Sequence, residues 1–199
     1  MYKRQAKDGG ENALGQHEQA LGDAFFQGDA EALRARLALQ SEEAAARGAL
    51  AEATGIDDAE VLAELAGLGI RVDTLAALTL IPLIDVAWAD GHMDAREREA
   101  ILAAAAATGT EPGSTSYRLL EIWTEEQPPP DLTRAWQLFI EALCSTLDDD
   151  RSRRLAHNLL GRARDVAAAA GSRLERAPHV SAEEEACLTA LAEAFPQAG

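Results

Sequence analysis

One short turn, Asp90-Gly91-His92-Met93-Asp94 with Glu97 just beyond, gathers three carboxylates and an imidazole. Hard divalent cations such as calcium take several oxygens at about 2.3–2.6 Å, and carboxylates on a tight turn can supply part of that shell. Asp90, Asp94 and Glu97 are therefore the candidate metal ligands, for a divalent cation. The spacing is not that of an EF-hand loop, because glycine follows the first acid directly and Ile101 stands where a bidentate glutamate belongs. The same residues also have a reading that needs no ligand. Gly91 supplies a left-handed turn, Asp94 caps the next helix, and Glu97 completes a capping box worth about 1 kcal/mol.

Other chemistry is thinly represented. His17, His92, His157 and His179 show no ligand spacing with one another or with Cys144 and Cys187. Both cysteines lie in alanine- and leucine-rich runs, as small buried apolar groups do. No nucleophile elbow, phosphate loop or dinucleotide fingerprint occurs, so no catalytic residue is assigned and no enzyme is expected. Asp85 and Asp165 each interrupt an apolar helical run, where a carboxylate needs a partner or a raised pKa; Arg162 and Arg164 are the candidate mates. Trp88, Trp123 and Trp136 fall at helical spacing and are expected in the core.

The elements that must position these groups are helical. Of 199 residues, 47% are hydrophobic and only 5% aromatic, with alanine dominant. That balance favours closely packed helices and a substantial core. The 18 Lys and Arg against 34 Asp and Glu leave a net charge of −16, a field that repels phosphate backbones. Nucleic acid is not an expected partner; a protein is. The longest apolar stretch, Leu75 to Ala89, is interrupted by Pro82 and Asp85, so no membrane segment is expected.

Along the chain, residues 1–16 read as a disordered tail. Met1-Tyr2-Lys3-Arg4-Gln5 matches a translated transposon end from sequencing libraries, which would place the native amino terminus elsewhere. Residues 17–69 form an amino-terminal helical extension. It holds a long helix from His17 ended by Gly55 and a short one from Asp57 to Leu68, capped by Asp57 with Glu60. Residues 70–196 form the main helical domain. Asp73 caps a helix over Thr74–Ala89 that Pro82 kinks or restarts. Asp94 opens a helix to about Thr108, and Pro112-Gly113-Ser114 starts another. Asp131 caps a helix over Leu132–Leu147, and Asp148-Asp149-Asp150 introduces one reaching about Ala170. Ser181 with Glu184 caps a last helix ending near Phe195. An internal repeat matches Asp85–Gly91 to Asp165–Gly171, each copy leading into a capped helix, with Ser172 to His179 inserted in the second. The expected fold is all-α: a single-domain helical bundle of about seven to nine helices built around two related helical hairpins.

The run Val86-Ala87-Trp88-Ala89-Asp90-Gly91-His92-Met93-Asp94-Ala95-Arg96-Glu97 resembles the mark of the tellurite-resistance TerB-like family: a buried helix ending in Ala-Asp-Gly, a turn, then a helix opened by an acid and a glutamate. Gly171 and Val180 to Glu184 resemble the weaker second copy of such proteins. The resemblance covers about residues 70–196. It implies a compact helical bundle and a non-enzymatic stress-response or protein-interaction role linked to tellurite resistance; a cytoplasmic location is expected separately, with the native amino terminus missing. It also implies metal association through Asp90, Asp94 and Glu97. The second copy departs, with Ala170 for Asp90 and Ser181 for Asp94, which argues against a symmetric pair of metal sites. Gly91, Asp94, Glu97, Gly171, Ser181 and Glu184 are the turn and capping residues on this reading.

Overall fold

Alanine-rich segments with a cap at one end and a glycine at the other account for most of the architecture. A computed structural model describes residues 8–170 and 180–196, and among them lie nine α-helices and no strand. Gly171 and His179, with the rest of the inserted segment, lie outside the described residues. The chain divides into two compact units, Met1–Ala44 and Ala45–Gly199.

Helix α1 spans Asp8–Thr54. Helix is therefore present from Asp8, within the stretch expected to be a loose tail. In the first unit, residues 31–44 are exposed, Leu33, Leu37 and Leu39 included. The second unit begins inside α1, well before the expected domain boundary at residue 70. The reason is apolar: Leu50, Ile56, Leu62 and Leu65 are buried in the same core as the later helices. Gly55, at φ +73°, ends α1 as expected.

Helix α2 (Ala59–Gly67) is capped by Asp58, whose Oδ1 accepts from Glu60 N at 2.9 Å and Val61 N at 3.1 Å. The expected cap was Asp57; the one-residue shift aims Val61, Leu62, Leu65 and Ala66 inward and leaves Glu60 too early to close a box. Gly69 at φ +78° turns the chain, and Ile70 N donates to Leu65 O, the six-residue closure of a Schellman motif.

Asp73 does not cap the next helix. It sits within a 3₁₀ turn (Val72–Thr74) and gives its carbonyl to Ser116 Oγ at 2.7 Å, while Thr74 Oγ1 accepts from Arg71 N. Pro82 marks a restart: α3 (Leu75–Thr79) stops, and α4 (Ile81–Ala87) begins with proline in its first turn, where a missing N–H costs least. Helix α4 is the centre of the unit, with Ile81, Leu83, Ile84, Val86 and Ala87 all buried.

Around it lie α5 (Ala95–Ala107), α6 (Thr115–Glu125), α7 (Pro130–Ser145), α8 (Asp149–Ala170) and α9 (Ala182–Ala192). Helix α4 packs on α8, α9 and α7; α5 packs on α8 and α6. These contacts realise the two-hairpin arrangement, α4–α5 facing α8–α9. Pro129 occupies the cap position of α7, with Asp131 inside its first turn and not at the cap. Helix α9 stops at Ala192, but Ala194 and Phe195 still enter the core, where Phe195 meets Trp136 edge to face at 6.0 Å.

Because Leu50 belongs to the second unit and is fully buried there, a truncation at Leu50 should be costly. Leu50→Ala is expected to lose about 2–5 kcal/mol in urea denaturation. Val72→Ala, at an exposed position of the same unit, should stay within about 0.5 kcal/mol. Equal, small effects would place Leu50 outside the cooperative unit.

Candidate functional site

The acidic turn is built by the end of α4 and the start of α5. Gly91 at φ +84° adopts the left-handed conformation that a side chain would disfavour, and its N–H donates to Trp88 O at 2.8 Å. Asp90 Oδ1 accepts from His92 N at 2.9 Å. Asp94 Oδ1 accepts from Arg96 N and from Glu97 N at 3.1 Å, and Glu97 Oε2 accepts from Asp94 N at 2.8 Å. The reciprocal box foreseen from the residue types is therefore complete. Its echo is equally complete at α9, where Ser181 Oγ accepts from Glu184 N at 3.1 Å and Ser181 N donates to Glu184 Oε2.

The two capping glutamates share a further property. Glu97 and Glu184 are both buried, with 4% and 7% of their surfaces exposed. Burial is the main reason that the Glu97 carboxyl is pushed up to about 7. The charges of Asp94, Glu184 and Asp90 add to that, against the opposing hydrogen bond from Asp94 N. The boxes of the two repeats thus converge closely enough for one glutamate to feel the other.

Each acid of the turn spends an oxygen on local backbone, and among the described residues no group of three or more His, Cys, Asp or Glu is arranged to hold a metal ion. Asp90, Asp94 and Glu97 do not fit a cation shell as placed; they fit turn and cap roles. His92 lies exposed beside Asp90.

The two repeated aspartates part company. Asp85 of α4 is largely enclosed and accepts from Thr133 Oγ1 of α7 at 2.9 Å; burial pushes its carboxyl up to about 6, despite that bond. Asp165 of α8 is exposed, in a groove with His157, Arg164 and Glu185. Neither arginine expected as a mate reaches Asp85: Arg164 pairs with Glu185 at 2.7 Å, and no ion pair joins Arg162 to Asp85. Cys144 is buried and Cys187 half-buried, both free thiols. Trp123 and Trp136 are core residues, and half-buried Trp88 donates from Nε1 to Trp123 O at 2.8 Å. Trp136 Nε1 is buried without a partner.

A second surface was not foreseen from the residue pattern. Arg98 and Leu102 of α5 form a groove with Arg118, Glu121, Ile122 and Glu125 of α6. Ile122 is 51% exposed there, while Leu120 and Trp123 of the same helix point inward. Arg98 closes one side, bonding to Thr124 Oγ1 at 3.0 Å and Glu125 Oε1 at 2.6 Å. The available signal was Ile122 lying off the Ser116-Leu120-Trp123 stripe.

No family model, curated protein or solved structure matches the chain.

If the turn is a capping device, its energetics are those of caps. Asp94→Ala and Ser181→Ala should each lose about 1 kcal/mol in thermal or urea unfolding. Calcium, magnesium and zinc should leave the wild-type Tm where it is. A divalent ion that raises it, with the rise abolished in Asp90→Ala, would make the turn a cation site after all.

Proposed function

We propose that this chain is a non-enzymatic, TerB-like interaction module of stress response, acting in the cytoplasm by binding a protein partner through its helical surface. The observation that carries this reading is the α5–α6 groove, where a half-exposed isoleucine stands between charged side chains of both signs. Apolar residues rimmed by polar ones are the usual anatomy of a small protein-binding surface. The net charge of −16 supports a protein partner with basic character over nucleic acid. Among the described residues no helix is long and apolar enough to cross a membrane.

A divalent-cation role for Asp90, Asp94 and Glu97, linked to tellurite or metal stress, is the second reading. What favours it is the mutual repulsion of acids around Glu97, which a cation would relieve. The capping geometry weighs against it.

The interaction reading predicts a specific loss. Immobilised wild-type protein should retain a partner from a bacterial lysate, and Ile122→Glu should reduce that retention at least tenfold without altering the circular dichroism spectrum. Retention should also weaken as salt rises. Identical recovery by wild type and Ile122→Glu would remove the groove from the proposal.

A further inference from the structure

Helix α8 is the basic element of an acidic chain. Its 22 residues hold five arginines against three aspartates. Three of the arginines are engaged within the chain: Arg151 with Asp148 at 3.4 Å, Arg153 with Asp150, and Arg164 with Glu185 of α9 at 2.7 Å. The face of α8 is thus close to electrical balance, while the whole chain carries −16. Two copies of so acidic a molecule repel least where they meet on such a face.

Helices α8 and α9 border a groove of about 540 Å³, with Leu160 and Leu188 in its apolar lining and His157 and Asp165 in its polar lining. Gly161 of α8 lines it too and is exposed. It sits mid-helix, where glycine is a poor choice beside alanine. A Cβ there would meet no atom of the chain within 4 Å, so the packing of α8 in its own copy does not call for glycine. The missing side chain leaves room for a second backbone to approach closely.

His157 and Asp165 lie four residues before and four after Gly161, so the three form one i±4 ridge on the helix surface. Both are exposed, and about 12 Å of helix separates them, too far for one to meet the other in a single copy. A second copy placed antiparallel about a two-fold axis at Gly161 sets each His157 against the Asp165 of the other. The same operation sets Asn158 against Arg164, so an amide and not a like charge faces the guanidinium. We propose that this groove is a homodimer interface, occupied by the α8 ridge of a second copy of the chain. Leu160 and Leu188 supply its apolar floor, Gly161 the close approach, and the two His157–Asp165 pairs the register. It shares no lining residue with the α5–α6 groove and stands apart from that surface.

The test is self-association of the intact chain, read by sedimentation velocity over a dilution series. The wild type should pass from monomer to dimer as concentration rises. His157→Asp and Asp165→His each set like groups together twice per dimer, and each should raise the dissociation constant at least about tenfold. Both substitutions in one chain restore the pairing in reverse and should return the constant to within about threefold of the wild type. Gly161→Leu should abolish the dimer and leave the circular dichroism spectrum unchanged. Diethyl pyrocarbonate needs no variant: its modification of His157 should slow as the dimer forms, while that of exposed His92 should not. A wild type that stays monomeric at every concentration overturns the interface. So does a dimer that the single substitutions leave unmoved, or a double substitution as weak as the singles. A His157 rate in constant ratio to that of His92 along the series overturns it as well.

Discussion

Helix α4 has no face to give to water. Ile81, Leu83, Ile84, Val86 and Ala87 leave no polar stripe wide enough to stand at a surface, so neighbours must enclose the helix on every side. Each helix packed on it contributes one apolar stripe: Leu159, Ala163, Val166 and Ala167 from α8, Leu188 and Leu191 from α9, Trp136, Phe139 and Ile140 from α7. The amphipathic helices outside can then keep charged residues at the surface. A chain this acidic depends on that division, since its carboxylates repel one another and need solvent around them. The central helix makes a compact bundle possible with so few aromatic residues.

Enclosure on all sides forces the chain to leave and re-enter the core within short loops. Left-handed glycines and reciprocal caps do that work at Gly91 with Asp94 and Glu97, and the Ser181–Glu184 box repeats the second half of the device. The cost is that two glutamates are drawn inward together. Glu97 and Glu184 are tolerated because each satisfies a backbone N–H at its own cap, but their charges still oppose one another. A motif read for its acids thus serves backbone hydrogen bonding first, and its unusual electrostatics follow from where the caps must sit.

Residue types alone carried much of this. The Asp94–Glu97 and Ser181–Glu184 boxes were legible because a capping box is a local pattern, decided within four residues. The repeat pointed to facing hairpins because equal apolar periods bury equal faces. Tertiary choices were not legible. Asp58 displaced Asp57 as a cap because the core selects which side chains of α2 face inward, and that core includes residues far along the chain. The boundary at Ala45 was missed for the same reason: Leu50 and Ile56 look like any helix-end apolar residues until α2 and its neighbours cover them. Asp85 and Asp165 occupy the same place in the repeat and differ only in what packs against them. Ile122 became notable only once the Leu120–Trp123 stripe had been assigned inward.

That divergence between Asp85 and Asp165 shows how one helical pattern acquires two electrostatic roles. On α8 the aspartate stays in solvent, in a groove whose nearby ion pair is Arg164 with Glu185, and its charge has little effect on packing. On α4 the same residue type is half-buried and accepts a hydrogen bond from Thr133 of α7, and burial pushes its carboxyl up to about 6. The carboxylate on α4 is thus tied to a neighbouring helix through Thr133, while its repeat-related copy on α8 faces solvent.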